Sequence, residues 1–276
     1  MNAYTALAWD AAVEIPEKNR VLKPRTNGVT MVIDKGLGIR ATKDLLELAA
    51  DYIDFIKIAF GSAAVYPTNL LQEKIELVKS YGIQIYPGGT LFEIAAYQGR
   101  LQQFYQRAAE LGFTYVEVSE GTIDLTPQLR ERYNKQSLDQ GFGVLSEIGK
   151  KDKSIHLDPH AAIVQIEADL ANGAEKVIIE GRDSGKGVGI YDEDGKVRGE
   201  LLSVLINGVA DMSQIIIEAP QNSQHNYLLT KIGPNVNLGN VQPHDVLTLE
   251  STRRGLRGDT LRNLIKIRPP LEMMQR

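Results

Sequence analysis

The chain has 276 residues, 43% of them hydrophobic and 24% charged, an ordinary soluble balance in a chain long enough to bury about three quarters of its unfolded surface. It contains no cysteine, which excludes disulfides, thiolate metal sites, iron–sulfur clusters and cysteine nucleophiles, and fits a reducing, cytoplasmic setting. A formal net charge of −4 argues against a general nucleic-acid binder, no apolar run approaches the ~20 residues of a membrane span, and the acid-bearing N-terminus lacks the apolar core of a signal peptide.

In chain order, short β-branched runs alternate with longer amphipathic stretches. Residues 28–34 form the first run, followed by a helical segment at 42–50 with Leu45, Leu46, Leu48 and Ala49 on one stripe. Residues 55–59 and a helix at 69–81 come next, then 83–87 with a helix at 91–111. After the run at 115–119, a helix opens at Thr126-Pro127, a capping threonine before a proline. The run at 143–147 is followed by a helix that starts after Asp158-Pro159 and stops at Asn172-Gly173. Residues 176–180 lead through a long polar loop to a helix at 200–209. The last two units pair 214–218 with 223–232, and 235–239 with 243–254. Eight such units, with strands continuous in apolar residues as in a buried parallel sheet, predict a single (β/α)8 TIM barrel over an open doubly wound sheet. Residues 1–25 and 266–276 read as short extensions, with no linker to divide the chain.

In such a barrel the site lies at the C-terminal ends of the strands. There the sequence places Asp34 and Lys35, Lys57, Glu93, Glu117 with Ser119 and Glu120, Glu147 with Lys150 and Lys151, Glu180 with Arg182, and Glu218. So many carboxylates on one mouth repel unless a cation holds them. Oxygen ligands without cysteine predict Mg2+ rather than zinc, with Glu117, Glu147 and Glu180 as the expected metal carboxylates and only some of them as direct ligands. Lys35 and Arg182 are the expected anion-binding side chains, and Asn237 and Gly239 lie after strand eight, where barrels often bind phosphate.

The glycine-rich stretch 180–189 lacks P-loop order and reads as a lid or an anion nest, with 190–198 a hairpin. The histidines at 156, 160, 225 and 244 show no triad spacing. The run Thr252 to Thr260 reads as a solvated helix end, or else as an anion or subunit contact. Tyr4, Leu7, Trp9 and Val13 form an apolar set that needs covering by the barrel's own helices or by a neighbour.

Five strings carry a resemblance: residues 30–36 (TMVIDKG), 54–62 (DFIKIAFGS), 87–93 (PGGTLFE), 116–121 (VEVSEG) and 146–151 (SEIGKK). Together they resemble phosphosulfolactate synthase, from about Lys23 to Ile265. The resemblance implies a magnesium-dependent carbon–sulfur lyase that joins sulfite to phosphoenolpyruvate and gives 2-phospho-3-sulfolactate, whose onward fate is coenzyme M synthesis or sulfolactate accumulation. It also implies a homo-oligomer, with a trimer as the implied state, and a general-acid lysine just after strand five, matching Lys150 with Lys151 as the neighbouring candidate. Two other readings stay open: a Schiff-base aldolase with Lys57 as nucleophile, and a non-catalytic stress-tolerance relative on the same barrel.

Overall fold

The computed structural model describes residues 8, 9 and 11–267. The strands are β1 (Thr30–Asp34), β2 (Phe55–Ile58), β3 (Gln84–Pro87), β4 (Tyr115–Val118), β5 (Gly143–Ile148), β6 (Lys176–Ile179), β7 (Ile215–Glu218) and β8 (Asn237–Val241). Around them run α1 (Ile39–Ala49), α2 (Thr68–Ser80), α3 (Gly89–Tyr97), α4 (Leu101–Leu111), α5 (Pro127–Asp139), α6 (Pro159–Ala171), α7 (Gly199–Gly208), α8 (Asn222–Ile232), α9 (Val246–Arg253) and α10 (Gly258–Ile267). Every recorded strand pairing in the sheet is parallel, in the order β3-β2-β1-β8-β7-β6-β5-β4. The β3–β4 seam is drawn together just before β4, where Thr114 N donates to Ile85 O (3.1 Å) and Ile85 N to Thr114 Oγ1 (3.0 Å). The molecule is a (β/α)8 barrel.

The capping signals act as read. Thr126 Oγ1 accepts from Leu129 N at 3.3 Å, and Asp158 Oδ1 from His160 N at 2.9 Å. Three expectations shift. The helix expected at 91–111 breaks into α3 and α4 around Gly99, whose φ of +66° suits glycine and ends the first helix. β8 lies two residues further along than 235–239, because β1 pairs Thr30 with Leu238 and Val32 with Val241. The run at 252–260 is solvated only in its second half, for Thr252 and Arg253 are buried while Leu256, Gly258 and Asp259 are exposed. Arg253 is buried and donates to the carbonyls of Pro234 (2.6 Å) and Val236 (2.7 Å), and Gly255 turns the chain before α10.

Part of the N-terminal extension is built into the barrel. Arg20 is buried against Glu250 (3.0 Å) and Arg25 against Asp54 (2.7 Å). Trp9 and Val13 are exposed, while Tyr4 and Leu7 lie outside the described residues. Residues 190–198 do fold back, with an antiparallel bridge between Tyr191 and Val197. Among the described residues no helix is long and apolar enough to cross a membrane.

Candidate active site

Alternate side chains of a strand point to the same face. Met31, Phe55, Tyr86, Leu145, Ile178 and Ile216 form an apolar cluster inside the barrel, with Tyr115 packed on it. Two residues beyond Phe55, Tyr115, Leu145, Ile178 and Ile216 stand Lys57, Glu117, Glu147, Glu180 and Glu218. The period of two therefore stacks a charged layer on the apolar one, toward the C-terminal ends of the strands. Glu93, from α3, and Ser119, two residues past Glu117, complete this layer, and all these side chains are buried.

Two lysines hold the carboxylates together. Lys57 Nζ lies 2.9 Å from Glu218 Oε1, 3.0 Å from Glu117 Oε2 and 3.5 Å from Glu147 Oε2. Lys151 Nζ lies 3.1 Å from Glu147 Oε1, 3.2 Å from Glu93 Oε1 and 3.5 Å from Glu180 Oε2. The Ser119 hydroxyl sits between Glu93 Oε1 (2.5 Å) and Glu147 Oε1 (2.7 Å) and can donate to one at a time.

Glu93, Glu117, Glu147, Glu180 and Glu218 thus face two ammonium groups, and negative charge is in excess. The titration of the cluster reflects this. Burial, with Glu147 and Glu218 nearby, outweighs Lys57 and pushes Glu117 up to about 7. Burial and the same two neighbours push Glu180 well above the carboxylate range. Burial would raise Glu147 too, but Lys151, Lys57 and Ser119 overcome it and hold that carboxyl well below. For Lys57, burial disfavours the charge, yet Glu117, Glu218 and Glu147 more than offset it and raise its pKa well above the lysine range. Glu147, Glu180 and Glu93 do the same for Lys151.

The layer floors a cavity of about 90 Å³, walled by Phe60, Gly89, Thr90, Arg182, Asp183 and Asn240. Arg182 donates to Lys151 O (3.2 Å), and Asn240 Nδ2 to Arg182 O (3.1 Å). Lys35 pairs with Asp183 across the rim at 3.2 Å.

Of the residues expected at the site, Lys57, Lys151, Arg182, Glu117, Glu147 and Glu180 come together here, with Lys35 at the rim. Lys150 does not. Its Nζ turns away to Glu120 O (2.8 Å), Ile123 O (2.7 Å) and Asp124 Oδ1 (2.9 Å), because the left-handed Gly149 turns the chain just beyond β5 and Lys151 N is bonded to Gly121 O (2.9 Å). Asn237 is displaced as well. The two-residue shift of β8 puts it at the opposite end of the barrel, where its amide serves Val29 N (3.0 Å) and the carbonyls of Ser213 and Ile215 (both 2.8 Å). Gly239 lies inside the wall, where a Cβ would come within 2.5 Å of Met31 Cε, so it makes room rather than binding. Asn240 is the strand-eight side chain at the mouth. Asp34 is spent on Lys74 (2.5 Å) and on its own turn. None of the four histidines lines the cavity; His225, lowered to about 4 by burial, is bonded to Ala219 O (2.6 Å).

The donor set fits a hard divalent cation, with one change of membership. Glu147, Glu180 and Glu218 each offer an oxygen, and these atoms lie within 4.8 Å of one another. Glu180 Oε2 is buried with no hydrogen bond. Glu117 is occupied elsewhere, accepting from Gly89 N (2.7 Å) and facing Lys57. Glu218 takes its place in the triad. Sequence places Glu218 among the strand-end acids but points to Glu117 as the metal carboxylate, since nothing local separates the two. Glu93, Ser119 and Asn240 are also visible in the sequence as strand-end polar residues, whereas Phe60 carries no signal there as a cavity-lining group.

Comparison with known proteins identifies the family of the chain. Residues 18–259 match the family model for (2R)-phospho-3-sulfolactate synthase. The chain is 44% identical to a phosphosulfolactate synthase of Methanothermobacter thermautotrophicus, covering 87% of this chain and 93% of that one. It is 38% identical to the Bacillus subtilis phosphosulfolactate synthase, over 91% and 98% of the two chains. A more distant relative, Protein HEAT-STRESS-ASSOCIATED 32 of Arabidopsis thaliana, is 20% identical over 86% and 89%. Among solved structures, N-acetylneuraminate lyase from Mycoplasma synoviae shares the fold at 9% identity, with a TM-score of 0.51 over 88% of this chain and 78% of that one.

Proposed function

Since the chain belongs to the phosphosulfolactate synthase family, we propose that it adds sulfite to phosphoenolpyruvate as a carbon–sulfur lyase working in the synthetic direction, giving (2R)-2-phospho-3-sulfolactate, with Lys151 as general acid. The observation that carries this reading is the position of Lys151. It is the lysine after β5 that reaches the cavity, beside three carboxylates whose oxygens converge.

The sulfur lone pair of sulfite forms the bond to C3 of the enol. The C2=C3 electron pair moves toward C2 and the adjoining carboxylate, and a proton must then join C2. Lys151 holds that proton at Nζ on the cavity wall, and its side chain is 25% exposed, so solvent can return the proton afterwards. Arg182 and Lys35 offer cations at the rim to the phosphate and to incoming sulfite, with Lys35 released from Asp183 when it does so. The N-terminus of α3, at Gly89 and Thr90, adds a partial positive charge. Mg2+ held by Glu147, Glu180 and Glu218 would supply charge stabilisation for the substrate's carboxylate as electrons accumulate there.

Lys57 suits a different task. A Schiff-base nucleophile needs a lowered pKa, and three carboxylates hold Lys57 in the opposite direction. Its place is in tying Glu117, Glu147 and Glu218 into one layer. The stress-tolerance alternative is supported less, because the enzyme relatives stand at 38% and 44% identity and the plant protein at 20%.

The deciding experiment is consumption of phosphoenolpyruvate with and without sulfite, and with and without Mg2+. Consumption that requires neither would refute the reading. We place the protein in the cytoplasm as a homo-oligomer, the family resemblance favouring a trimer. An apolar groove of about 370 Å³ among α2, α3 and α4, next to the exposed Val65 and Tyr97, supports an assembly surface. A monomer by light scattering at micromolar concentration would refute it.

A further inference from the structure

Among the described residues, three that are not glycine have a positive φ: Phe60 (54°), Arg182 (58°) and Asn240 (51°). All three line the same small cavity. Asparagine tolerates the left-handed region, but a bulky aromatic does not favour it, and such residues persist only where their surroundings impose them. Phe60 stands just beyond β2, and its backbone is pressed against the end of β3. A Cβ on Gly88 would come within 2.9 Å of Phe60 N and 3.0 Å of its carbonyl oxygen. A glycine would meet this backbone geometry without strain, so what the conformation delivers is the position of the ring.

The cavity wall is otherwise polar. Of its lining side chains only Ile33 and Phe60 are wholly apolar; Ile33 is buried in the floor, whereas Phe60 is 47% exposed at the mouth. On the function proposed above, the substrate carries a phosphate and a carboxylate, both of which match the cations. Its remaining carbon, the methylene that receives sulfite, has only these two apolar surfaces to face. In about 90 Å³ there is little room for a larger group there.

We infer that Phe60 is a specificity-determining residue: its ring walls the methylene end of the enol substrate and restricts the site to an unsubstituted C3. This inference rests on the phosphoenolpyruvate reading, and the two fail separately. The test compares phosphoenolpyruvate with its (Z)-3-methyl homologue in the parent chain and in Phe60→Ala, Phe60→Gly and Phe60→Leu, by sulfite-dependent turnover and by calorimetric binding. The parent should prefer phosphoenolpyruvate by roughly 10–200-fold, the range one methyl group commands in a tight pocket. Phe60→Ala and Phe60→Gly should reduce that preference about 10-fold or more, while Phe60→Leu keeps most of it. Phe60→Gly, relieved of the left-handed strain, should melt no lower than the parent, which separates lost discrimination from lost folding. An unchanged preference in the alanine and glycine variants, or a parent that accepts both substrates equally, overturns the inference. If the parent turns over neither compound with sulfite, the function reading falls, and binding decides the role of Phe60: an unchanged ratio of the two affinities between parent and Phe60→Gly overturns it.

Discussion

Lys151→Met keeps most of the side-chain stem and removes its charge, which makes it the sharpest probe of the site. In the folded protein Lys151 Nζ lies 3.1 Å from Glu147, 3.2 Å from Glu93 and 3.5 Å from Glu180. Removing one partner of a buried ion pair typically costs 3–5 kcal/mol, because the other charge is left uncompensated. The Lys151 side chain is 25% exposed, so the lower end, ~3 kcal/mol, is expected. In a chain of this size that corresponds to a fall in melting temperature of roughly 6–12 °C without Mg2+. Added Mg2+ should recover part of the loss and bind more tightly than in the parent, since the lysine no longer competes for Glu147 and Glu180. Turnover should nevertheless stay down by ~10²–10⁴-fold even at saturating Mg2+, because the proton donor is gone. Lys150→Met is the matched control. Its ammonium faces Glu120 O, Ile123 O and the fully exposed Asp124, outside the cavity, so its loss should leave turnover within about threefold whatever it costs in stability. Turnover is followed by phosphorus NMR of phosphoenolpyruvate and product, and stability by thermal melts. A Lys150→Met enzyme that is dead beside an active Lys151→Met enzyme would refute this assignment of the proton donor.

Other expectations follow from the same geometry. Glu218→Gln and Glu147→Gln should each weaken Mg2+ binding by calorimetry, with excess Mg2+ restoring part of the rate. Glu117→Gln should change Mg2+ affinity far less, since Glu117 is engaged by Gly89 N and Lys57. Glu117 also sets a pH dependence: with its folded pKa raised from the usual 4.5 to about 7, the native state keeps a proton that the unfolded chain loses. Metal-free stability should therefore fall as pH rises from about 4.5 to 7, by up to ~3 kcal/mol, and Glu117→Gln should flatten that slope in urea titrations. Borohydride added with substrate should trap no adduct at Lys57, and mass spectrometry showing one there would return the aldolase reading. Arg130→Met should destabilise the fold by ~3–5 kcal/mol by denaturant melts, because the buried Asp169 loses its guanidinium partner at 2.6 Å.

Much of this protein is legible in the residue order. Strand and helix segments follow from local periodicity, and capping pairs such as Thr126-Pro127 and Asp158-Pro159 mark helix starts through contacts a few residues long. The charged layer follows as well, since a period of two carries Phe55 to Lys57 and Ile216 to Glu218 on the same face. What lay beyond the sequence is pairing across the barrel. Nothing near Asn237 says that β1 would choose Leu238, rather than a residue two places earlier, as the partner of Thr30, and that choice sends Asn237 to the far end and Asn240 to the mouth. Nothing within Ser-Glu-Ile-Gly-Lys-Lys says which lysine turns inward, because the left-handed Gly149 and the hydrogen bond from Lys151 N to Gly121 O settle it from a neighbouring loop. Glu218 rather than Glu117 completes the carboxylate triad because Glu117 meets Gly89 N across the seam between β3 and β4. The chemical types at the strand ends are a local property, set by alternation along each strand; which of them share one ion or one proton depends on register and closure, which only the assembled barrel decides.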